Sequence, residues 1–334
     1  MNQRLDESAN ILYNQSAALR TDGQEGKKDA MFFTRELETV KKEVREKKYP
    51  NFKQRTLIPT TFNTDPGAET ITYYLYDHVG IAKIGLDYAN DSPRASTKKE
   101  KFTSNIEPFR AHYAYSTQDI RRSRMSNTPL EQREAMAGRK SIQLAEQKVA
   151  YFGDSAYNLE GLFSNSNITL TTVPSDGGTG QSEFTDKDPD QIVRDINNCI
   201  NIVNTQTNGV EEANTVLLAP TEMTYIKTTR MGDGSDTTIY KFLKEAHEDK
   251  IEFFSLAQCA EPTAGWSSLG LSFSGNIMMA YKRDPEALEL EVPQDFEQME
   301  PEVRGMTLRV ECHERCGGVI WYQPLAANIS QGVG

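Results

Sequence analysis

At 334 residues, with 37% hydrophobic and 25% charged side chains, the chain has the size and composition of one large or two ordinary globular domains. Its net charge of -11 argues against a general nucleic-acid binder, which needs surplus Lys and Arg to neutralise phosphates. No apolar run approaches the ~20 residues of a bilayer-crossing helix. Four scattered cysteines (Cys199, Cys259, Cys312 and Cys316) are too few for a disulfide framework, so a reduced compartment is the default. The start, Met1-Asn-Gln-Arg-Leu-Asp-Glu-Ser, lacks the basic-then-apolar order of a secretory signal, and the chain is expected to be made and kept inside a cell at first.

Residues 1 to 27 are polar and read as an arm that packs no core of its own. Between 27 and 55 the chain holds ten basic side chains and five acidic ones, a net of +5 that leaves -16 for the remainder. Such asymmetry suits an arm lying on an acidic surface of the same or a neighbouring subunit, and equally suits a solvated helix face. Phe33, Leu37, Val40 and Val44 form one narrow apolar stripe on a helix that Pro50 ends, and so thin a stripe needs a support to lie on.

After Pro59, Ile71, Tyr73 and Leu75 alternate with Thr72, Tyr74 and Tyr76, the period of a strand. A second apolar segment covers Val79 to Leu86, a polar stretch spans Asn90 to Lys101, and another strand runs from Phe102 to Tyr115. Together these predict a long hairpin with a charged tip, which is marginal alone in water; an ordinary surface loop is the plainer reading.

Thr128, Pro129 and Glu131 have the order of a helix cap, predicting a helix from 128 to Gly153 with Ala135, Ile142, Ala145, Val149 and Phe152 on one face. At about 36 Å it is long enough to serve as a spine. Residues 174 to 190 are linker-like and place a domain boundary there. Asp188, Pro189 and Gln191 repeat the cap before a helix carrying Ile192, Ile196, Cys199, Ile200 and Val203. Strands at Thr215 to Ala219, Ile251 to Phe254 and Ile277 to Tyr281 alternate with helices over Glu222 to Thr229 and Ile239 to His247, giving a mixed domain. Val303 to Gln323 is a closing strand with Gly317-Gly318 inside it.

Motifs of known chemistry are missing. No phosphate-cradling loop, His-Glu-x-x-His or Gly-x-Ser-x-Gly occurs, and Asp176-Gly-Gly-Thr-Gly180 lacks the flanking strand and helix of a dinucleotide site. Asp186, Asp188 and Asp190 begin like a calcium loop, but Gln191 and Asn197 stand where Gly and Glu are required. Cys312, His313 and Cys316 invite zinc, yet a second ligand pair is lacking, and a strand would put both thiols on the face opposite His313. Neither catalytic nor cofactor nor metal residues are assigned.

Arg55-Thr-Leu-Ile-Pro59, Asp91-Ser-Pro93, Tyr113-Ala-Tyr-Ser-Thr117, Gly153-Asp154, Gly161-Leu-Phe163 and Met306 to Val319 closing on Pro324 occur in an order that resembles the major capsid proteins of tailed phages with the Hong Kong 97-type fold, in the branch related to encapsulins. Ser164 departs from the Asn common there. The resemblance implies an α+β capsid fold with an N-terminal arm (1–55), a peripheral domain (56–189) carrying an extended loop (70–115) and spine helix (128–153), an axial domain (190–297) and a return to the peripheral domain (298–334). It implies a structural protein, not an enzyme, that self-assembles into the icosahedral shell of a bacteriophage virion. Partners would be itself, as hexamers and pentamers, then scaffold, portal and decoration proteins, and packaged double-stranded DNA by weak non-specific contact; no membrane is involved, and assembly would occur in the host cytoplasm. Inter-subunit contacts are expected at Phe33, Leu37, Val40, Val44, Lys47, Lys48, Arg94, Lys98, Lys99 and Lys101. Loop lysines of this fold can cross-link to a neighbour's Asn, but those of the hairpin tip are read as solvating it. The runner-up is an encapsulin-like compartment shell, which the long arm before Arg55 disfavours; a third reading is a zinc enzyme built on Cys312, His313 and Cys316.

Overall fold

The computed structural model describes residues 52–80, 94–126, 130–232, 236–261, 271 and 273–334. The predicted arm helix with Phe33, Leu37, Val40, Val44, Lys47 and Lys48 lies outside these residues, as do Thr128, Pro129 and the segment 81–93.

A short helix α1 (Gln54–Leu57) and strand β1 (Thr60–Thr61) lead to β2 (Thr70–Val79), which pairs antiparallel with β3 (Ser96–Asn105). Here the structure corrects the sequence reading twice. The polar run up to Lys101 is strand rather than tip, and the segment from Phe102 to Tyr115 is broken at Ile106. A two-stranded ribbon wetted on both faces does not need apolar alternation, so Ser96 to Lys101 carries no strand signal. Beyond Ile106, β4 (Glu107–Ser116) belongs to another sheet, and a helix the sequence did not announce, α2 (Thr117–Ser126), follows.

The spine, α3, runs from Leu130 to Phe152. Ile142 and Val149 are buried as expected, whereas Ala135, Ala145 and Phe152 are only partly covered, and Glu146, Ala150 and Tyr151 complete the buried stripe. Gly153 stops the helix at φ +68°, a conformation that costs other residues dearly. The chain then doubles back, and the amides of Leu162 and Phe163 donate to the carbonyls of Ala150 and Tyr151 at 2.8 and 2.9 Å. Gly161-Leu-Phe163 thereby caps carbonyls that the last helical turn leaves open.

The C-terminal half supplies α4 (Pro189–Gln206), β6 (Thr215–Leu218), α5 (Pro220–Thr228), α6 (Ile239–Ala246), β7 (Glu252–Ser255) and β8 (Ile277–Tyr281). Asp188 N donates to Gln191 Oε1 at 3.0 Å, half of the predicted cap. With β5 (Thr169–Thr172) and β14 (Ala327–Gln331), the strands form a five-stranded sheet in the order β5-β14-β8-β6-β7. One face packs Val216, Leu218 and Met278 against α4. The other packs Leu217, Met279 and Tyr281 against Leu57, Tyr151 and Leu162, at the end of the spine. Residues 298–334 therefore do not return as one piece. Their last strand, β14, lies inside the five-stranded sheet between β5 and β8, with Ile329 covered on the face that meets the spine. Nor is 174–190 a mere linker: Phe184 is buried, and Lys187 is buried against Asp195 at 2.5 Å.

The remaining strands are β9 (Leu288–Glu291), β10 (Gln294–Gln298), β11 (Glu302–Arg304), β12 (Thr307–Cys316) and β13 (Gly318–Trp321). Ten residues of β12 pair with all ten of β4, while β10 and β11 line its other edge. Tyr113, Tyr115, Val310 and Cys312 on one face of this sheet meet Ile142 of the spine. At Gly318, φ is +74° and an added Cβ would lie 2.7 Å from Glu160 O, so only glycine lets β12 swing into β13 here. At Gly153 the same test is harsher, since a Cβ would meet Leu159 O at 2.4 Å. Gly153→Ala is expected to lower unfolding stability by at least ~2 kcal/mol, read by urea denaturation.

Candidate assembly surfaces

The β2–β3 ribbon is rooted at the end that carries Thr70 and Asn105. At the root, Tyr73 stacks on Phe102 at 5.3 Å and meets Tyr322 edge-on at 5.0 Å, while Ser104 Oγ donates to Gly317 O at 3.2 Å and Asn105 Nδ2 to Tyr157 O at 3.1 Å. Beyond the root, every described side chain of β3 from Ser96 to Thr103 is exposed. Tyr74 and Tyr76 are 50% and 56% exposed, with Leu75 and Phe102 on the opposite face also open to water. Lys99 Nζ sits 3.5 Å from the Tyr74 ring centroid and 5.4 Å from that of Tyr76. A cation held over aromatic rings is partly pre-ordered, unlike a lysine that only solvates. Lys101 lies with Lys99 on the Tyr74 face, Lys98 lies on the opposite face and Arg94 precedes β3; all are exposed. Exposed aromatics on a cationic ribbon are the composition of a contact surface.

A second feature went unnoticed in the sequence because its members are far apart. Arg55, at the start of the described chain, donates Nε to Glu146 Oε1 of the spine at 2.7 Å. Its Nη2 donates to Asp295 Oδ1 at 2.8 Å and to Glu314 Oε1 of β12 at 3.2 Å. Glu146 and Glu314 are 1% and 0% exposed, and one guanidinium, 34% exposed, serves both. Glu314 Oε2 is buried with no hydrogen-bond partner. Desolvation first, and the neighbouring Glu146 charge second, push the Glu314 carboxyl up to about 8.

Cys312 and Cys316 face the spine with Glu314, in the alternation expected of a strand, and His313 faces away. The three cannot converge on one ion, which removes the geometry of the zinc-enzyme reading. Among the described residues no group of three or more His, Cys, Asp or Glu is placed to hold a metal. Asp186 instead closes its own loop, accepting from Thr179 N at 2.9 Å, Thr179 Oγ1 at 2.8 Å and Gln181 N at 3.3 Å.

Because the folded chain holds the Glu314 proton more tightly than an unfolded chain with an ordinary carboxyl, this group's stabilisation is complete below the ordinary carboxylate range. It is lost as pH rises towards 8. Glu314→Gln is expected to flatten the fall in unfolding free energy between pH 5 and pH 8, measured by denaturant titration at each pH; an equally steep fall in both chains would refute the assignment.

A model of the major capsid protein family matches residues 80–333. A search of curated proteins finds no match. Among solved structures, the capsid of the Myoviridae phage XM1 superposes with a TM-score of 0.76 at 14% identity, covering 92% of this chain and 100% of that one. Mycobacterium phage Ogopogo gives 0.61 at 12% identity, covering 90% and 99%. The capsid of a native GTA particle gives 0.62 at 9% identity, covering 93% and 99%. With spine, five-stranded sheet and extended ribbon in place, the chain belongs to the major capsid protein family and has the Hong Kong 97-type capsid fold.

Proposed function

We propose that the chain is the head-shell subunit of a tailed bacteriophage, assembling as hexamers and pentamers into an icosahedral container for double-stranded DNA. The family describes a capsid built from copies of the same chain. The observation that supports the finer reading is the β2–β3 ribbon, on which Tyr74, Leu75, Tyr76 and Phe102 keep about half of their surface open to water. An isolated two-stranded ribbon of this kind gains stability only against a partner, and in a shell the available partner is the next copy. Arg94, Lys98, Lys99 and Lys101 would then meet an acidic neighbour, as would Lys47 and Lys48 of the arm beside Phe33, Leu37, Val40 and Val44. Net charge of -11 suits a container that holds DNA by confinement and weak contact rather than by tight phosphate binding. Scaffold, portal and decoration proteins, and assembly in the host cytoplasm, belong to the same proposal. The compartment-shell alternative fits less well, since the strongest superposition described above is on a phage capsid.

Purified protein, alone or with the other head proteins, is expected to form closed shells in negative-stain micrographs; a chain that stays monomeric in both settings would refute the proposal. Combined Lys98→Glu, Lys99→Glu and Lys101→Glu changes should abolish shells in sedimentation while leaving the subunit's unfolding midpoint in place, because all three side chains are exposed.

A further inference from the structure

The face of the β4–β12 sheet turned away from the spine forms a groove of about 680 Å³. Three arginines line it, Arg110, Arg309 and Arg315, with His112 and His313, against one carboxylate, Glu311. In a chain of net charge -11 this excess of cations is local. Some of these groups are already engaged. Arg309 pairs with Glu311 at 2.6 Å, Arg315 Nη1 donates to Pro66 O, and Gln294 Nε2 lies 3.0 Å from His313 Nε2. Others are not: among the described residues Arg110 and His112 have no side-chain hydrogen bond or ion pair, and Arg309 Nε is buried with no acceptor. Arg110 and His112 are exposed, so their donors are open to an incoming acceptor.

Resting on the shell reading above, we infer that this groove accepts an acidic side chain, Asp or Glu, from a second copy of the chain. One observation favours a protein carboxylate over a nucleic-acid backbone. Glu297 Oε2 lies 3.7 Å from His313 Nε2 beside the groove, and with Glu311 in the lining it repels a continuous polyanion far more than a segment with one or two carboxylates. A carboxylate accepting from guanidinium groups in a part-shielded groove forms the stronger, charge-assisted kind of hydrogen bond, and orients as well as holds the neighbour.

The test uses full-length protein, half of it labelled with nitrogen-15, carrying Arg110→Lys. Shells co-assembled from the mixture are treated with a zero-length carbodiimide, and peptides are read by mass spectrometry. A link from position 110 to an acidic residue in peptides of mixed isotope is expected. Links confined to one copy, or none at position 110 in well-formed shells, would overturn the inference. Arg110→Glu provides the second arm: it should raise the concentration needed for shell formation at least ten-fold with an unchanged unfolding midpoint. Assembly at the ordinary concentration overturns the inference, and normal shells that fail to retain DNA overturn it in favour of nucleic acid. Wild-type chain that never assembles would remove the shell reading on which the inference rests.

Discussion

Ten residues of β4 paired with ten of β12, from Glu107↔Cys316 to Ser116↔Thr307, form the constraint on which the rest of the subunit depends. The two strands are about two hundred positions apart in the chain, so the pairing closes one of the largest loops in the molecule, and such closure is slow and costly in entropy. What repays it is the face beneath: Tyr113, Tyr115, Val310 and Cys312 cover Ile142 of the spine. At one end of the pair the chain leaves the ribbon through Asn105 to begin β4 and leaves β12 towards β13 through Gly317, and Ser104 ties the two points together. The ribbon is therefore aimed by the sheet and need not be stiff throughout its length.

Charge plays the opposite part. Placing Glu146 and Glu314 around Arg55 takes two carboxyl groups out of water for one guanidinium, an arrangement that seldom adds net stability and is damaging when broken. Its return is positional. Arg55 connects the start of the described chain to the spine and to β12 at once, and Lys53 Nζ, donating to Ser255 O at 2.7 Å, ties the same turn to β7. Tyr281 Oη donates to Leu57 O at 2.7 Å and completes the junction between the five-stranded sheet and the spine. The two halves of the subunit share one core there, including Leu57, Tyr151, Leu162, Met279 and Tyr281, which favours their moving together during assembly.

The ribbon and the sheet groove make complementary demands on a neighbour. One presents aromatics and cations on a projecting element, where contact gains apolar burial. The other is a recess lined by Arg110, Arg309 and Arg315, where, on the inference above, contact gains direction more than area. In a closed shell the second would fix an angle that apolar burial alone leaves loosely defined.

Helices with one apolar stripe were legible in the sequence, because Ile142, Val149, Ile192, Ile196 and Val203 repeat locally and need no knowledge of the partner. So were the buried strands Thr215–Leu218 and Ile277–Tyr281, bounded by turn residues, and the strand faces that part His313 from the two thiols. The order of quoted motifs was enough to place the chain in its family. Three things were decided only by tertiary structure. Ser96 to Lys101 is a strand because Val79 back to Tyr74 lies alongside it, not because of its own residues. Ala327–Gln331 joins the five-stranded sheet because β5 and β8 both pair with it there. Arg55, Glu146 and Glu314 meet across separations at which no periodicity operates, since electrostatic partners are chosen by the finished fold and leave no pattern along the chain.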